Sequence, residues 1–216
     1  MRAIVVIGGE APYPAVAAHL APVDLVVAAD SGLDAAVGLG LRPDVVVGDL
    51  DSVSPSALAT AEAAGTTIER HPSDKDATDV ELAVDAATAR GATAITVVGG
   101  LGDRLDHLLG TLAVLGAPRL ARIAVDAWLG RAWLAALQGP GQRDVDGRPG
   151  DYISLVPLAG PARGVRTQGL RWPLDDALLT PTSTLGISNE LLRGRAEVRL
   201  AAGSLLVIRP YALDSR

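Results

Sequence analysis

The chain has 216 residues, 49% hydrophobic and 20% charged, with a net charge of −6, three histidines and no cysteine. A chain of this length hides roughly 70% of its unfolded surface without covalent staples. The composition excludes a disordered chain, and the missing thiols exclude disulfides, thiolate metal sites and a cysteine nucleophile.

Met1–Pro14 (MRAIVVIGGEAPYP) reads as a first strand running into glycines and prolines rather than as a signal peptide. Further β-rich runs follow at Leu25–Ala28, Val45–Val47, Thr66–Glu69 and Ile95–Val98, with Ile4–Ile7 as the first of the set. They lack polar alternation, as strands covered on both faces do. Between them, Ser54-Pro55 supplies a cap and a first-turn proline, and Thr78-Asp79-Val80-Glu81 has capping-box spacing. Val80, Ala83, Val84 and Ala87 share one helical face, Gly91 closes that helix, and Arg104–Leu115 forms the next. Such alternation predicts an N-terminal parallel, doubly wound α/β domain over residues 1–121.

From about residue 122 the pattern changes. Runs around Ala124 and Trp133, Asp151–Val156 and Gly164–Thr167 read as strands, and Gln138–Gly150 as a loop. Arg195–Leu200 alternates wet and buried positions, and after an Ala-Ala-Gly turn Gly203–Ile208 is expected to complete a hairpin. Residues 122–216 are thus expected to form a C-terminal antiparallel β-sandwich.

Charge divides unevenly: net −9 over residues 1–120 and net +3 over 121–216. The acidic part suits either a divalent cation or a solvated surface. Net negative charge argues against nucleic acid as a partner, and no apolar run reaches the ~18 residues of a membrane helix. A soluble, cytoplasmic protein without membrane or nucleic-acid partners is expected. Eighteen arginines stand against a single lysine, Lys75.

In open parallel sheets, ligands bind beyond the carboxyl ends of the strands. Here those ends lead into Asp30-Ser31-Gly32, Gly48-Asp49-Leu50-Asp51-Ser52, Ser73-Asp74-Lys75-Asp76-Ala77-Thr78-Asp79 and Gly99-Gly100-Leu101-Gly102-Asp103-Arg104-Leu105-Asp106-His107. Asp49 and Asp51, two apart in an extended segment, can face one point, where like charges repel unless a cation sits between them. All-oxygen ligands suit Mg²⁺; a turn in which Asp51 caps the following helix is the structural alternative. Lys75 suits a phosphate, and Gly99–Gly102 can lay backbone N–H groups against one. Together these are the parts that hold a magnesium-bound polyphosphate.

The same residues, in order, resemble the thiamine pyrophosphokinase family, bacterial type. Its marks appear as Asp30-Ser31-Gly32, Gly48-Asp49-Leu50-Asp51-Ser52, Lys75-Asp76-Ala77-Thr78-Asp79, Gly102-Asp103-Arg104-Leu105-Asp106-His107 and Gly186-Ile187-Ser188-Asn189-Glu190, with Gly169–Leu174 as a further likeness. The resemblance implies an enzyme that transfers the pyrophosphoryl group of ATP to the thiamine hydroxyl and releases AMP. It implies Mg²⁺ on Asp49, Asp51 and Asp79, and catalytic roles for these with Lys75 and Arg104. Asp30, Lys75, Thr78, Gly102, Arg104, Asp106 and His107 would serve the nucleotide, and Ser188, Asn189 and Trp172 the thiamine. It also implies a homodimer with the active site between subunits. Three positions depart from the pattern: Leu50 for Phe, Ser31 for Gly, and Asp103 for the Gly before Arg104. A pyrophosphokinase acting on another acceptor, such as a pterin, or a non-catalytic nucleotide- or thiamine-binding relative are the alternatives.

Overall fold

The computed structural model describes residues 1–102 and 104–214. Two compact units emerge, Met1–Val114 with Ile123–Gly130, and Leu115–Arg122 with Arg131–Arg216. No helix among the described residues is long and apolar enough to cross a membrane.

In the first unit the strands are β1 (Arg2–Val6), β2 (Leu25–Ala29), β3 (Val45–Gly48), β4 (Thr67–Arg70), β5 (Ala94–Gly99) and β6 (Ala124–Leu129). They form a parallel run in the order β6-β5-β1-β2-β3-β4. β2 and β3 are buried at every position, which is why their sequences show no polar alternation. The helices are α1 (Gly32–Gly38), α2 (Pro55–Ala63), α3 (Asp79–Ala89) and α4 (Leu105–Leu115). Ser54 caps α2, its hydroxyl accepting from Ala57 N at 3.3 Å while itself tied to the Asp34 carboxylate. The cap of this helix is therefore Ser54, and Asp51 is not spent on it. Thr78 caps α3 by accepting from Glu81 N, and the face that α3 buries is Ala83, Val84, Ala86 and Ala87.

The second unit holds two antiparallel sheets. One takes the order β12-β9-β14-β7, from β7 (Ala132–Gln138), β9 (Tyr152–Val156), β12 (Asn189–Glu190) and β14 (Ser204–Arg209). The other takes β11-β10-β13-β8, from β8 (Gly141–Asp146), β10 (Ala162–Gln168), β11 (Ala177–Leu179) and β13 (Arg195–Leu200). Leu137, Ile153, Leu205 and Val207 from the first sheet and Val145, Val165, Leu179 and Val198 from the second share one core, so the sheets pack as a sandwich.

Two local expectations change. The 138–150 stretch contains β8, which pairs with β13 in continuous register from Arg195↔Asp146 to Leu200↔Gly141. Its only buried residue is Val145, and ion pairs from Arg195 to Asp144 and Asp146 supply cross-strand attraction instead. In addition, β13 and β14 do not pair: β13 lies between β10 and β8, whereas β14 lies between β7 and β9. Ala201–Gly203 is a corner between sheets, and Gly203 turns it at a φ of +96°.

Asp151, just before β9, gathers the Arg148 N–H and the Arg209 guanidinium, each at 2.9 Å. Burial pushes its carboxyl up, but those two donors outweigh burial and hold it below the ordinary value of 3.8. A depressed carboxyl stabilises the fold fully above its ordinary value and loses that effect as pH falls through the folded one. Asp151→Asn is therefore expected to lose about 1 kcal/mol at pH 7, a figure allowing for solvent screening. Urea denaturation across pH should show the deficit closing under acid conditions; an equal deficit at pH 3 would contradict the charge-based account.

Candidate active site

In-register parallel pairing brings the strand ends level. Ala29 lies opposite Val47, and Asp30 N donates to Val47 O at 2.8 Å, which sets the first residue after β2 against the end of β3. Gly48 makes the approach possible. A Cβ there would come within 3.1 Å of the Asp30 Cβ and 3.3 Å of Asp79 Oδ1, and its φ is +148°.

Around this point opens a cleft of about 740 Å³, lined from the loop after β1 by Gly8 and Gly9, from the end of β2 by Asp30 and Ser31, and from the end of β3 by Asp49, Asp51 and Ser52. Lys75, Thr78 and Asp79 line it from the head of α3, and Gly102, Arg104 and His107 from the head of α4. Carboxylate oxygens of Asp30, Asp49 and Asp51 all lie within 4.8 Å of one another. Asp79, also expected at a cation, sits 3.0 Å from Lys75 Nζ, which reaches Asp49 Oδ2 at 3.9 Å. The lysine side chain is only 15% exposed, so it acts as an internal counter-charge between two aspartates rather than as a solvated surface group.

The charge is incompletely balanced. Asp30 Oδ1 is buried with no hydrogen-bond partner among the described residues. Burial, and then the Asp79 and Asp49 carboxylates, push the Asp30 carboxyl above its ordinary value. Asp49 is held low instead, chiefly by the Ser73 hydroxyl and the Asp51 N–H, with Lys75 adding to them. A buried orphan oxygen within a ring of hard oxygen donors fits a divalent cation such as Mg²⁺.

Two departures acquire a local account. Ser31 has a φ of −60°, so nothing there requires glycine. Leu50 sits at a φ of +66° and packs its side chain with Ala28, Leu33, Val46 and Val53, a packing role for the residue between the two aspartates. Asp103 lies outside the described residues.

Arg104 pairs with Asp106 at 2.6 Å on an exposed surface, and the guanidinium holds the Asp106 carboxyl low. Asp106 is not part of the cleft lining, whereas Arg104 and His107 are. Ser188, Asn189 and Trp172 belong to the second unit. Asn189 is buried: its Oδ1 accepts from Trp172 N and Glu190 N, and its Nδ2 donates to Trp172 O at 2.6 Å. That clamp presents a half-exposed Trp172 ring, with the Arg171 guanidinium 5.1 Å from its centre. Ser188 adopts a φ of +57°, and its N–H donates to Ser154 Oγ. Ser52 and Ser73, beside the carboxylates, carry one signal in the sequence, adjacency to the aspartate motifs.

Comparison with known proteins gives a consistent match. Residues 17–125 match the family model described as "Thiamin pyrophosphokinase, catalytic domain", and residues 142–205 match "Thiamin pyrophosphokinase, vitamin B1 binding domain". Thiamine pyrophosphokinase of Bacillus subtilis (strain 168) is 29% identical over 181 residues, 83% of this chain and 84% of that protein. Thiamine pyrophosphokinase 1 of Oryza sativa subsp. japonica is 27% identical, over 71% of this chain and 61% of that protein. The crystal structure of the Bacillus subtilis enzyme superposes with a TM-score of 0.82 at 26% identity, covering 97% of this chain and 98% of that one. That of thiamin pyrophosphokinase from Geobacillus thermodenitrificans gives 0.78 at 28% identity, with 97% of each chain covered.

Removing one of the crowded charges should relieve the apo protein. Asp30→Asn is expected to raise the melting temperature in EDTA at pH 7, since a carboxyl shifted upward costs stability only when ionised. The gain should shrink as pH falls through the raised folded value of Asp30 and be gone below the ordinary value of 3.8, where the carboxyl is protonated folded or unfolded. Added Mg²⁺ should stabilise the wild type more than the variant. A variant melting below the wild type in EDTA would contradict charge crowding.

Proposed function

The chain belongs to the thiamine pyrophosphokinase family, and from that premise we propose that it transfers the pyrophosphoryl group of ATP to the hydroxyl of thiamine, giving thiamine diphosphate and AMP. The observation that carries this reading is the set of carboxylates at the strand ends, facing Lys75 in one cleft. ATP brings a triphosphate with several negative charges. A cleft already lined by aspartates accommodates it through a bridging divalent cation and fixed positive groups.

Mg²⁺ would be held by Asp49, Asp51 and Asp79, with Asp30, whose carboxylate lies within 4.8 Å of those of Asp49 and Asp51, as a fourth carboxylate. When bound, the cation neutralises triphosphate charge and stabilises what develops on the bridging oxygen. The chain's own groups supply the rest. Lys75, already gathered between Asp49 and Asp79, adds a fixed ammonium, and Arg104 and His107 present the head of α4 to the nucleotide. Thr78 and Gly102 line the nucleotide side, and Asp106 orients Arg104 through their ion pair. Such a site works by positioning and electrostatics more than by a strong base.

Thiamine is recognised by the second unit. The Trp172 ring offers an aromatic face to the acceptor, Asn189 fixes the backbone beneath it, and Ser188 lies next in the chain. The active enzyme is a homodimer in which ATP and thiamine meet between the α/β unit of one subunit and the sandwich of the other. In support, Leu105 and Leu109 stand 69% and 57% exposed at successive turns of α4, and Leu101, in the loop before it, 49% exposed, apolar surface suited to burial against another subunit. The enzyme works in the cytoplasm, where ATP is at hand.

Incubation with Mg-ATP, with and without thiamine, is expected to yield AMP only with thiamine, matched by thiamine diphosphate on chromatography. Asp51→Asn should lower kcat about 100-fold or more while leaving the circular dichroism spectrum unchanged. AMP formation independent of thiamine would point to another acceptor, and near-normal turnover in the variant would remove Asp51 from the metal set.

A further inference from the structure

Between β5 and α4, the chain turns through Gly100, Leu101 and Gly102, whose glycine-rich sequence suits a backbone N–H cradle for phosphate. Those groups are already engaged. Leu101 N and Gly102 N both donate to one oxygen of Glu10, Oε2, at 3.1 and 3.0 Å, and Gly100 N donates to the Glu10 backbone carbonyl at 2.9 Å. One residue thus takes three consecutive amides of a loop some 90 positions further along the chain.

The fit extends to carbon. A Cβ at Gly100 would come within 2.5 Å of Glu10 O, 2.6 Å of Glu10 Cβ and 2.8 Å of Glu10 Cγ, so Glu10 lies where any side chain at position 100 would project. The N–H groups of Leu101 and Gly102 converge on the same oxygen, and Gly102, at a φ of +73°, turns the chain immediately after them. Two successive backbone donors on one anion form a nest, and here the anion is part of the protein. Gly100, Leu101 and Gly102 line the cleft, as do Arg104 and His107 immediately beyond.

We propose that Glu10 is a positioning residue for the nucleotide: its carboxylate fixes the 100–102 loop and thereby aims the head of α4, with Arg104 and His107, at the triphosphate. This rests on the pyrophosphokinase reading above. Glu10 does not touch substrate; it substitutes for the phosphate that this loop would otherwise attract, leaving nucleotide recognition to the side chains beyond it. The shaped seat at Gly100 distinguishes a strut from a carboxylate lying on the loop by chance. A strut of this kind acts on ATP binding and leaves thiamine binding alone.

The test combines amide exchange with kinetics on the full chain. In Glu10→Ala, the Leu101 and Gly102 amides should exchange about tenfold faster or more by NMR, corresponding to about 1.4 kcal/mol. KM for Mg-ATP should rise by about the same factor, with KM for thiamine and the melting temperature unchanged. Glu10→Gln keeps an acceptor oxygen and should restore both readouts, whereas Gly100→Ala, which evicts Glu10, should reproduce the alanine variant. Unchanged exchange, or an unchanged KM for Mg-ATP in an active enzyme, overturns the proposal. A lowered KM also overturns it, making Glu10 a competitor of phosphate. If the wild type itself gives no AMP, the pyrophosphokinase reading fails, and the exchange arm still decides whether Glu10 holds the loop.

Discussion

Repulsion between like charges governs the first unit. Parallel pairing with level strand ends brings Asp30 against Gly48, so that the carboxylates of Asp30, Asp49 and Asp51 come within 4.8 Å of one another, while Asp79 Oδ1 approaches Gly48 from α3. Water screens such charges well at an open surface and poorly in a cleft. The protein answers in part, with Lys75 between Asp49 and Asp79 and with the Ser73 hydroxyl on Asp49. It leaves Asp30 Oδ1 unanswered. The fold thus carries a localised electrostatic deficit, and the deficit lies where ligands bind in sheets of this topology.

Backbone conformation shows a second, smaller concession. Asp30, Leu50 and Ser188 hold positive φ values of 49°, 66° and 57° without being glycine. Each lies within a segment on which the family resemblance rests, and each costs of order 1–3 kcal/mol that neighbouring structure must hold in place. For Leu50 the restraint is visible: a buried side chain anchored among Ala28, Leu33, Val46 and Val53 keeps the backbone turned so that Asp49 and Asp51 flank it. Packing beneath the site and geometry within it are therefore the same contact.

Much of this was legible before any coordinates. Continuous apolar runs identified β1, β2, β3 and β5 because burial on both faces leaves no polar positions, and Ser54 and Thr78 marked helix starts because caps have few chemical solutions. The acidic strand ends were equally plain. What stayed hidden depends on partners remote in sequence. β8 contributes one buried residue, Val145, and is held by charges on β13, so its own composition reads as a loop. β13 and β14 look like a hairpin because the turn between them is short, yet their partners decide that they belong to different sheets. Likewise, the glycines at 100 and 102 advertised free amides, and only the structure brings Glu10 onto them.

The place of β14 in its sheet has a consequence for how the second unit is made. β14 comes last among the strands in chain order, yet it lies between β7 and β9 and supplies Leu205 and Val207 to the shared core. While the chain is being synthesised, at about 5–20 residues per second, the strands on either side must wait without their common neighbour. The first unit can close on itself well before then, its strands all lying upstream of Gly130. Birth on the ribosome is consequently asymmetric: the half that gathers the aspartates matures early, and the other half zips up only when residues 204–209 leave the exit tunnel.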